Sequence, residues 1–343
     1  MKFAYYNGQT PIGFYQTDTD GNASIYVNQP GFDNNIALNI GACIGAANYK
    51  VARADITLGN GSHNIISKAL VSNINLDADY RYVAVGNNTV ATYGVGDSVN
   101  LRSNGTNTIN YYGGGGSHLT MYSPTYNAGI LTRNVINDYN GSYDTMSSWN
   151  DGGGAITANG SHESIDTGHG NYAITTLGSS DALNIYADAK SIDNIKMGSD
   201  SSLKIHGGKD QITLNGSGNT VSADALVAGS TINPFGNNEI MFIGSNSSAT
   251  IHLDLNACGD VITIQAGSDG KYTGNLRITG FGDGDHINLN GFGFSPAVNI
   301  FNYYDQYTDS LSLAGGGHIF FDATSYIASN EFSFSTTKGP VIV

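Results

Sequence analysis

One short phrase recurs along this chain and constrains its fold more than any other feature. It consists of a glycine, a small polar or acidic residue, and then apolar residues at every second position, with clear copies at Gly96, Gly208, Gly259 and Gly284. A tight turn followed by a very short strand, repeated many times, is typical of a solenoid in which each coil stacks on the previous one. The repeats therefore predict an all-β fold: a parallel β-solenoid of the β-roll or β-helix kind.

The clearest register lies where Leu203, Ile212 and Val221 follow one another in steps of nine residues. A half-turn of this length predicts about eighteen residues per coil. Inward-facing Ile, Leu, Val and Met would form a continuous buried stripe, and corner asparagines would stack in hydrogen-bonded ladders. The polar stretch at residues 134–154 breaks the pattern and is predicted to form loops.

Both ends of the chain depart from the repeats and are predicted to form antiparallel β caps. Near the N-terminus, apolar residues 3–6 and 12–15 flank Asn7 and Gly8, and an Asn-Gly pair between two such runs is a strong hairpin signal. Near the C-terminus, phenylalanine becomes frequent after about Gly270. The predicted regions are an N-terminal hairpin or cap at 1–54, solenoid repeats at 55–270 and a C-terminal β cap at 271–343.

The acidity of the chain limits the kinds of partner that it can bind. It has 14 basic residues against 28 acidic ones, for a net charge of −14, and no cluster of Lys and Arg that would favour nucleic acid. No apolar run reaches the length needed to insert into a membrane. An Asp-rich surface suits divalent cations, although acidity also serves solubility. Cys43 and Cys258 are interpreted as small buried residues, and whether they pair is left open.

A resemblance accounts for the absence of an apolar N-terminal signal in a chain of extracellular composition. The stretch RITGFGDGDHINL at residues 277–289 resembles the C-terminal region of bacterial RTX-type proteins, which leave the cell by type I secretion. The flanking repeats resemble their calcium-binding nonapeptides, although no segment matches Gly-Gly-x-Gly-x-Asp-x-apolar-x in full. The resemblance implies an uncleaved C-terminal secretion signal, an extracellular or cell-surface location, and folding on contact with calcium.

The resemblance also implies that aspartate carboxylates in the repeats bind the calcium. The candidate ligands are Asp97, Asp210, Asp260, Asp283 and Asp285. The alternative is that these side chains accept hydrogen bonds from the backbone of their own turns, which is a common role for aspartate.

Catalytic motifs are absent from the sequence: it has no Gly-x-Ser-x-Gly elbow, no His-Glu-x-x-His and no phosphate-binding loop. We therefore predict no enzymatic activity and expect an extracellular structural protein that self-assembles into a filament, surface layer or biofilm matrix, with calcium as a cofactor. Copies of the chain would join one another by pairing the strands at the open edges of their sheets. The candidate interface residues are Tyr5, Tyr6, Tyr15, Tyr26, Tyr303, Tyr304 and Tyr307.

One alternative function belongs to a different class. A β-helix protein that binds or cleaves carbohydrate, such as a tailspike or a lyase, would place Asp, Arg and Tyr in one groove and would take a cell-surface glycan as its partner. A monomeric adhesin is the third possibility that the sequence leaves open.

Overall fold

The computed structural model describes residues 2–7, 10–16, 22–27, 36–40, 53–58, 63–67, 69, 71–77, 87–102, 106–122, 133–149, 152–282, 284–294, 300–322 and 332–335. These residues form β-strands and turns, with a single 3-10 helix at Ile300–Asn302 among them. The predicted all-β parallel solenoid is confirmed. In the described part of the chain, no helix is long and apolar enough to cross a membrane.

The chain divides into two compact units, Met1–Gly178 and Ser179–Val343, and this division falls inside the region predicted to hold the repeats. In each unit, successive strands alternate between two sheets, which we call the even sheet and the odd sheet after the numbers of their strands. Away from the caps, each strand pairs in parallel with the matching strand of the next coil, as strands β10 and β12 do. This alternation is the coil geometry that the sequence predicts.

The strands of the first unit fall into these two sheets. The even sheet holds β1 (Lys2–Asn7), β2 (Thr10–Gln16), β4 (Ile36–Ile40), β6 (His63–Ser67), β8 (Asn88–Thr92), β10 (Asn107–Tyr111), β12 (Asn134–Asp138), β14 (Gly154–Ala158) and β16 (Tyr172–Thr176). The odd sheet holds β3 (Asn22–Val27), β5 (Arg53–Leu58), β7 (Val71–Asp77), β9 (Ser98–Arg102), β11 (His118–Tyr122), β13 (Thr145–Trp149) and β15 (Ser164–Thr167).

The second unit has the same plan. Its odd sheet holds β17 (Ala182–Ile185), β19 (Ser202–Ile205), β21 (Thr220–Ala223), β23 (Ile240–Ile243), β25 (Val261–Gln265), β27 (His286–Asn290) and β31 (Phe332–Ser335). Its even sheet holds β18 (Asn194–Met197), β20 (Gln211–Leu214), β22 (Ser230–Pro234), β24 (Ala249–His252), β26 (Asn275–Thr279) and β30 (His318–Phe321), extended by β29 (Ser310–Ser312) and β28 (Tyr304–Asp305).

The predicted register of the coils is confirmed. Leu203 pairs with Val221 in the odd sheet, so one coil takes 18 residues at this point. Ile212, halfway between them, lies in the even sheet and pairs with Ile232. All four side chains are buried. Alternate residues of each short strand therefore point inward and stack on the same position of the next coil, which builds one apolar stripe per sheet.

The ends of the chain form the predicted antiparallel caps. Strand β1 runs antiparallel to β2, which is the hairpin expected around Asn7 and Gly8, and β1 also contacts β4 in antiparallel fashion. At the other end, β28, β29 and β30 form an antiparallel meander, and β30 joins β26 in parallel. The caps therefore change the strand direction where the coils end, as a solenoid requires at its exposed edges.

The prediction of loops at residues 134–154 is wrong. This stretch contains the whole of β12 and β13 and the first residue of β14. Polar side chains fill inward positions here, since Asn134, Asp138 and Ser148 are buried beside Ile136 and Met146. An alternation of polar and apolar residues cannot be recognised when half of the inward positions are themselves polar.

Two further expectations concern corner residues. The predicted asparagine ladder is confirmed, because Asn88 Nδ2 donates to Asn107 Oδ1 at 3.0 Å and Asn107 Nδ2 donates to Asn134 Oδ1 at 3.1 Å. The interpretation of Cys258 as a buried residue is wrong, because it is exposed. It lies in the eight-residue corner between β24 and β25. Cys43 lies outside the described residues.

Candidate functional site

A buried polar residue recurs at the even-to-odd corner, the segment that leads from an even strand to the next odd strand. It is the last residue of this corner, directly before the odd strand. We call these residues the corner column. Its members are Asp97, Ser117, Asp144 and Glu163 in the first unit, and Asp181, Ser201, Asn219, Glu239, Asp260 and Asp285 in the second.

The residue before each member has a left-handed backbone, which turns the chain into the odd strand. Glycine fills this place before Asp97, where Gly96 has φ of 68°. Tyr143 and His162 fill it before Asp144 and Glu163, and each has φ of 64°. A non-glycine residue in this conformation costs about 1–2 kcal/mol. The glycine–acid phrase of the sequence therefore marks this corner at Gly96, Gly259 and Gly284, whereas the copy at Gly208 lies in the opposite corner. Coils in which another residue takes the place of the glycine, as Tyr143 and His162 do, hide the corner from such a search.

Backbone hydrogen bonds connect the corner column from coil to coil. In the first unit, the Asp97 N–H donates to Ser117 Oγ at 2.9 Å, and the Ser117 N–H donates to Asp144 Oδ1 at 2.6 Å. The Asp144 N–H donates in turn to Glu163 Oε2 at 3.0 Å. Each inward side chain thus satisfies a buried backbone donor of the preceding coil, which a buried corner needs for stability.

The second unit repeats this arrangement. The Ser201 N–H donates to Asn219 Oδ1 at 3.0 Å, and the Asn219 N–H donates to Glu239 Oε2 at 2.8 Å. The Glu239 N–H then donates to Asp260 Oδ1 at 2.9 Å, and the Asp260 N–H donates to Asp285 Oδ1 at 3.2 Å. Serine, asparagine and carboxylate oxygens are therefore interchangeable in this structural role.

Three carboxylates meet at one point of the first unit. Asp138 ends β12, while Asp144 and Glu163 belong to the corner column of two successive coils, and one oxygen from each lies within 4.8 Å of the other two. All three residues are at most 1 % exposed. Among the described residues, this is the one group of three acidic, histidine or cysteine side chains that could hold a metal ion. We call it the acidic triad.

Burial raises the pKa of the carboxylates in these corners, because water no longer stabilises their charged forms. Burial, with a further contribution from the charges of Asp138 and Asp97, raises the pKa of Asp144 to about 6. Burial also raises the pKa of Asp138. In the second unit, burial raises the pKa of Glu239 to about 7 and that of Asp260 to about 6.

The sequence analysis missed the acidic triad, although a signal was present. The chain repeats Gly-Ser, one further residue and an acid at Gly141–Asp144 and again at Gly160–Glu163, 19 residues apart. A search for a glycine directly before an acidic residue misses both of these coils, because Tyr143 and His162 stand at that place. Asp138 carries no signal of its own, since it occupies a strand position that is apolar in most other coils.

The predicted calcium ligands fall into two different corners. Asp97, Asp260 and Asp285 belong to the corner column, and Asp285 Oδ2 also accepts a hydrogen bond from the Gly282 N–H of its own turn at 3.0 Å. Asp210 lies in the opposite corner, where its Oδ1 accepts from the Asp193 N–H at 3.1 Å. Asp283 lies outside the described residues. Asp285, and Asp97 through the Gly94 N–H, accept from their own turns as the alternative interpretation predicts, whereas Asp210 and Asp260 accept from the preceding coil. Calcium at these five residues stays a prediction.

Aromatic rings stack on the outer side of the same corners. Tyr112 lies between Tyr93 and Tyr139, with ring centroids 4.8 and 4.6 Å away, and the planes are nearly parallel. Tyr143 stacks on His162 at 4.5 Å. Both faces of Tyr112 are therefore covered by other rings, and this tyrosine column presents edges and hydroxyl groups to solvent.

The predicted interface tyrosines are described in part. Tyr303 and Tyr307 are 44 % and 90 % exposed, and Tyr304 donates its hydroxyl to Asp309 Oδ1 at 3.1 Å. Of the others, the structure describes only the strands, with Tyr5 and Tyr6 on β1, Tyr15 on β2 and Tyr26 on β3. For these four tyrosines, the structure describes the backbone and not the side chains.

Comparison of the chain with protein-family models, with curated proteins and with solved structures finds no match in any of the three. The site must therefore be interpreted from its own geometry.

Proposed function

We propose that this protein is an extracellular structural protein that assembles with further copies of itself. The observation that carries the proposal is the set of exposed aromatic side chains in the C-terminal cap, where Phe301, Tyr303 and Tyr307 lie within seven residues of the sequence and are 40 %, 44 % and 90 % exposed. Grouped aromatic rings on a surface are unfavourable in water, and Tyr and Phe are enriched at protein interfaces.

A second copy of the chain is the partner that this surface fits best. Strand β28, which lies between Tyr303 and Tyr307, pairs with β29 alone among the described strands. Such an edge has backbone groups with which another strand can pair, while the flanking rings supply the apolar contact. The net charge of −14 opposes close approach of two copies, so cations should favour assembly by screening it.

The extracellular location and type I secretion rest on the composition and on the RTX-like stretch at residues 277–289. Secretion assays test this part separately: the full chain and a chain that lacks residues 336–343 are each expressed together with a type I export apparatus, and the amount of each chain outside the cell is compared. Intracellular retention of both chains would contradict it.

Sedimentation velocity and negative-stain electron microscopy of the full chain test the assembly. We expect filaments, sheets or higher oligomers that increase with salt or divalent cations. The double variant Tyr303→Ser/Tyr307→Ser should remain monomeric, whereas the control Tyr122→Ser, an exposed tyrosine in the other unit, should assemble normally. A wild-type chain that stays monomeric up to millimolar concentration would refute the proposal.

Glycan binding is the second candidate, and one observation favours it. Tyr122 and Trp149 are neighbours in register on β11 and β13, and they are 45 % and 38 % exposed. An exposed aromatic pair is a surface on which a sugar ring can stack. Affinity electrophoresis in gels that contain bacterial surface polysaccharide should show retardation of the wild type and loss of retardation in Trp149→Ala. Equal mobility of the two proteins in every gel would exclude this function for the pair.

A further inference from the structure

We propose that the acidic triad of Asp138, Asp144 and Glu163 binds one divalent cation, with Ca²⁺ preferred over Mg²⁺. None of these residues was among the ligands that the sequence analysis predicted. The proposal does not depend on self-assembly, because it concerns a buried corner of the first unit.

Backbone hydrogen bonds hold one oxygen of each carboxylate in place. Asp138 Oδ1 accepts from the Gly141 N–H at 2.8 Å and from the Asn140 N–H at 3.2 Å. Asp144 Oδ1 accepts from the Ser117 N–H, and Glu163 Oε2 accepts from the Asp144 N–H. The orientation of all three groups is therefore fixed by the coils, as for ligands that are preorganised for an ion.

The second oxygens of the two aspartates are the observation that points to a ligand. Asp138 Oδ2 and Asp144 Oδ2 are buried and have no hydrogen-bond partner. Buried polar atoms in folded proteins almost always have a partner, and a missing one calls for an unseen water or ion. An ionised carboxylate is an acceptor only, so carboxylates that meet within 4.8 Å of one another need a cation or a proton as their partner.

Glycines keep the space around the triad open. A Cβ atom at Gly141 would collide with the carboxylate of Asp144 and would lie 2.8 Å from Asp138 Oδ1. A Cβ atom at Gly160 would collide first with the Gly141 carbonyl oxygen of the preceding coil and then with Glu163 Oε1. The close approach of the carboxylate therefore requires glycine at Gly141, while the stacking of the coils already requires it at Gly160.

The donor set selects the ion. Three carboxylate oxygens and no nitrogen or sulfur ligand suit a hard cation such as Ca²⁺ or Mg²⁺. Each pair of triad oxygens lies within 4.8 Å, so the three can contact one ion together. Ca²⁺ is favoured over Mg²⁺ because it accepts irregular arrangements of oxygen ligands, whereas Mg²⁺ demands a nearly ideal octahedron.

Calcium binding to the full chain in metal-free buffer at pH 7.5 tests the site. Equilibrium dialysis with Ca²⁺ should show that Asp144→Asn and Asp138→Asn each bind one ion fewer per chain than the wild type. In thermal unfolding followed by circular dichroism, 5 mM Ca²⁺ should raise the Tm of the wild type by at least about 3 °C, because the ion binds only the folded corner. Neither aspartate variant should show this rise, and Mg²⁺ at the same concentration should raise the wild-type Tm by less.

Glu239→Gln is the matched control, since Glu239 holds the same column position in the second unit, is not part of the triad and is not among the five aspartates predicted to bind calcium. It should bind as many ions as the wild type and keep the full Tm shift. A wild-type chain with no Ca²⁺-dependent shift, triad variants that keep the shift, or a control that loses it would each overturn the proposal.

Thermal unfolding in the absence of metal distinguishes a folding defect of the variants from loss of the bound ion. Both Asn variants remove a buried negative charge, so in the absence of metal they should unfold at a temperature equal to or above that of the wild type. If they are instead unfolded at 25 °C, the variant Gly141→Ala, which displaces the Asp144 carboxylate, replaces them, and retention of the bound ion in that variant refutes the site.

Discussion

The corner column predicts that acid stabilises this protein through Glu239. This carboxyl is fully buried, and its pKa is raised from 4.5 to about 7, first by burial and then by the charge of Asp260. Between these two values, the folded state holds the proton while the unfolded state has released it. Stability linked to this group is therefore complete below pH 4.5 and is lost as the pH rises through about 7. At about 1.4 kcal/mol per pKa unit, the loss is about 3 kcal/mol.

The substitution Glu239→Gln removes the charge and keeps most of the contacts. A glutamine oxygen can still accept from the Asn219 N–H, but the 3.3 Å contact from Asn219 Nδ2 to Oε1 is lost. Losing one weak hydrogen bond costs about 1 kcal/mol. The variant should therefore be about 1 kcal/mol less stable than the wild type at pH 4 and about 2 kcal/mol more stable at pH 8.5, so that the order of the two proteins reverses.

Urea unfolding followed by circular dichroism at several pH values from 4 to 8.5 measures this reversal. Buffers should be passed over chelating resin, so that bound cations do not replace protons. Asp269→Asn is the control, because this carboxyl is largely exposed and unfolding changes its surroundings little. A difference between wild type and Glu239→Gln that stays constant across the whole range would refute the argument that burial of this carboxyl controls its pKa.

Two further predictions concern packing. Gly141→Ala should destabilise the first unit by about 1–3 kcal/mol in thermal unfolding, because its methyl group collides with the Asp144 carboxylate. Gly282→Ala should cost less than about 1 kcal/mol in the same assay, because its Cβ would make only an ordinary contact of 3.8 Å with the Gly280 carbonyl oxygen. Tyr112→Ser should cost about 1–3 kcal/mol, because it removes the ring contacts on both faces. Urea unfolding measures this loss, and Tyr307→Ser, which removes a ring that is 90 % exposed, should leave stability unchanged.

These packing predictions have clear contrary outcomes. If Gly141→Ala were as stable as the wild type, the carboxylate would have room to move, and the open space at the triad would not depend on glycine. If Tyr112→Ser and Tyr307→Ser had equal effects, the tyrosine column would contribute nothing beyond the exposure of its rings.

The sequence predicts the coil geometry well because apolar spacing is a direct consequence of it. Leu203, Ile212 and Val221 recur every nine residues since each half-coil must return one side chain to the interior. The N-terminal hairpin is equally predictable, because an Asn-Gly pair between two apolar runs is a strong local turn signal, and β1 indeed pairs with β2 up to Asn7 and Thr10. Local rules succeed wherever the buried residues are apolar or the turn chemistry is fixed.

The same rules fail around the acidic triad for the opposite reason. Asp138 points inward at a strand position where the pattern requires an apolar residue, so β12 was predicted to be a loop. Tyr143 and His162 adopt a left-handed backbone that glycine normally provides, which hides the corners before Asp144 and Glu163. Exceptions to local rules often mark functional sites, and here three of them coincide in one place.

The corners of this solenoid also suggest a use in protein engineering. Ile251 and Ile278 remain paired although 26 residues separate them, and Ile278 and Phe321 remain paired across an excursion of 42 residues. The chain can therefore leave the stack at a corner, form additional structure and re-enter in register. Foreign peptides grafted at such a corner should be displayed at a fixed height along the coil axis, and successive grafts would be separated by the strand spacing of about 4.8 Å per coil.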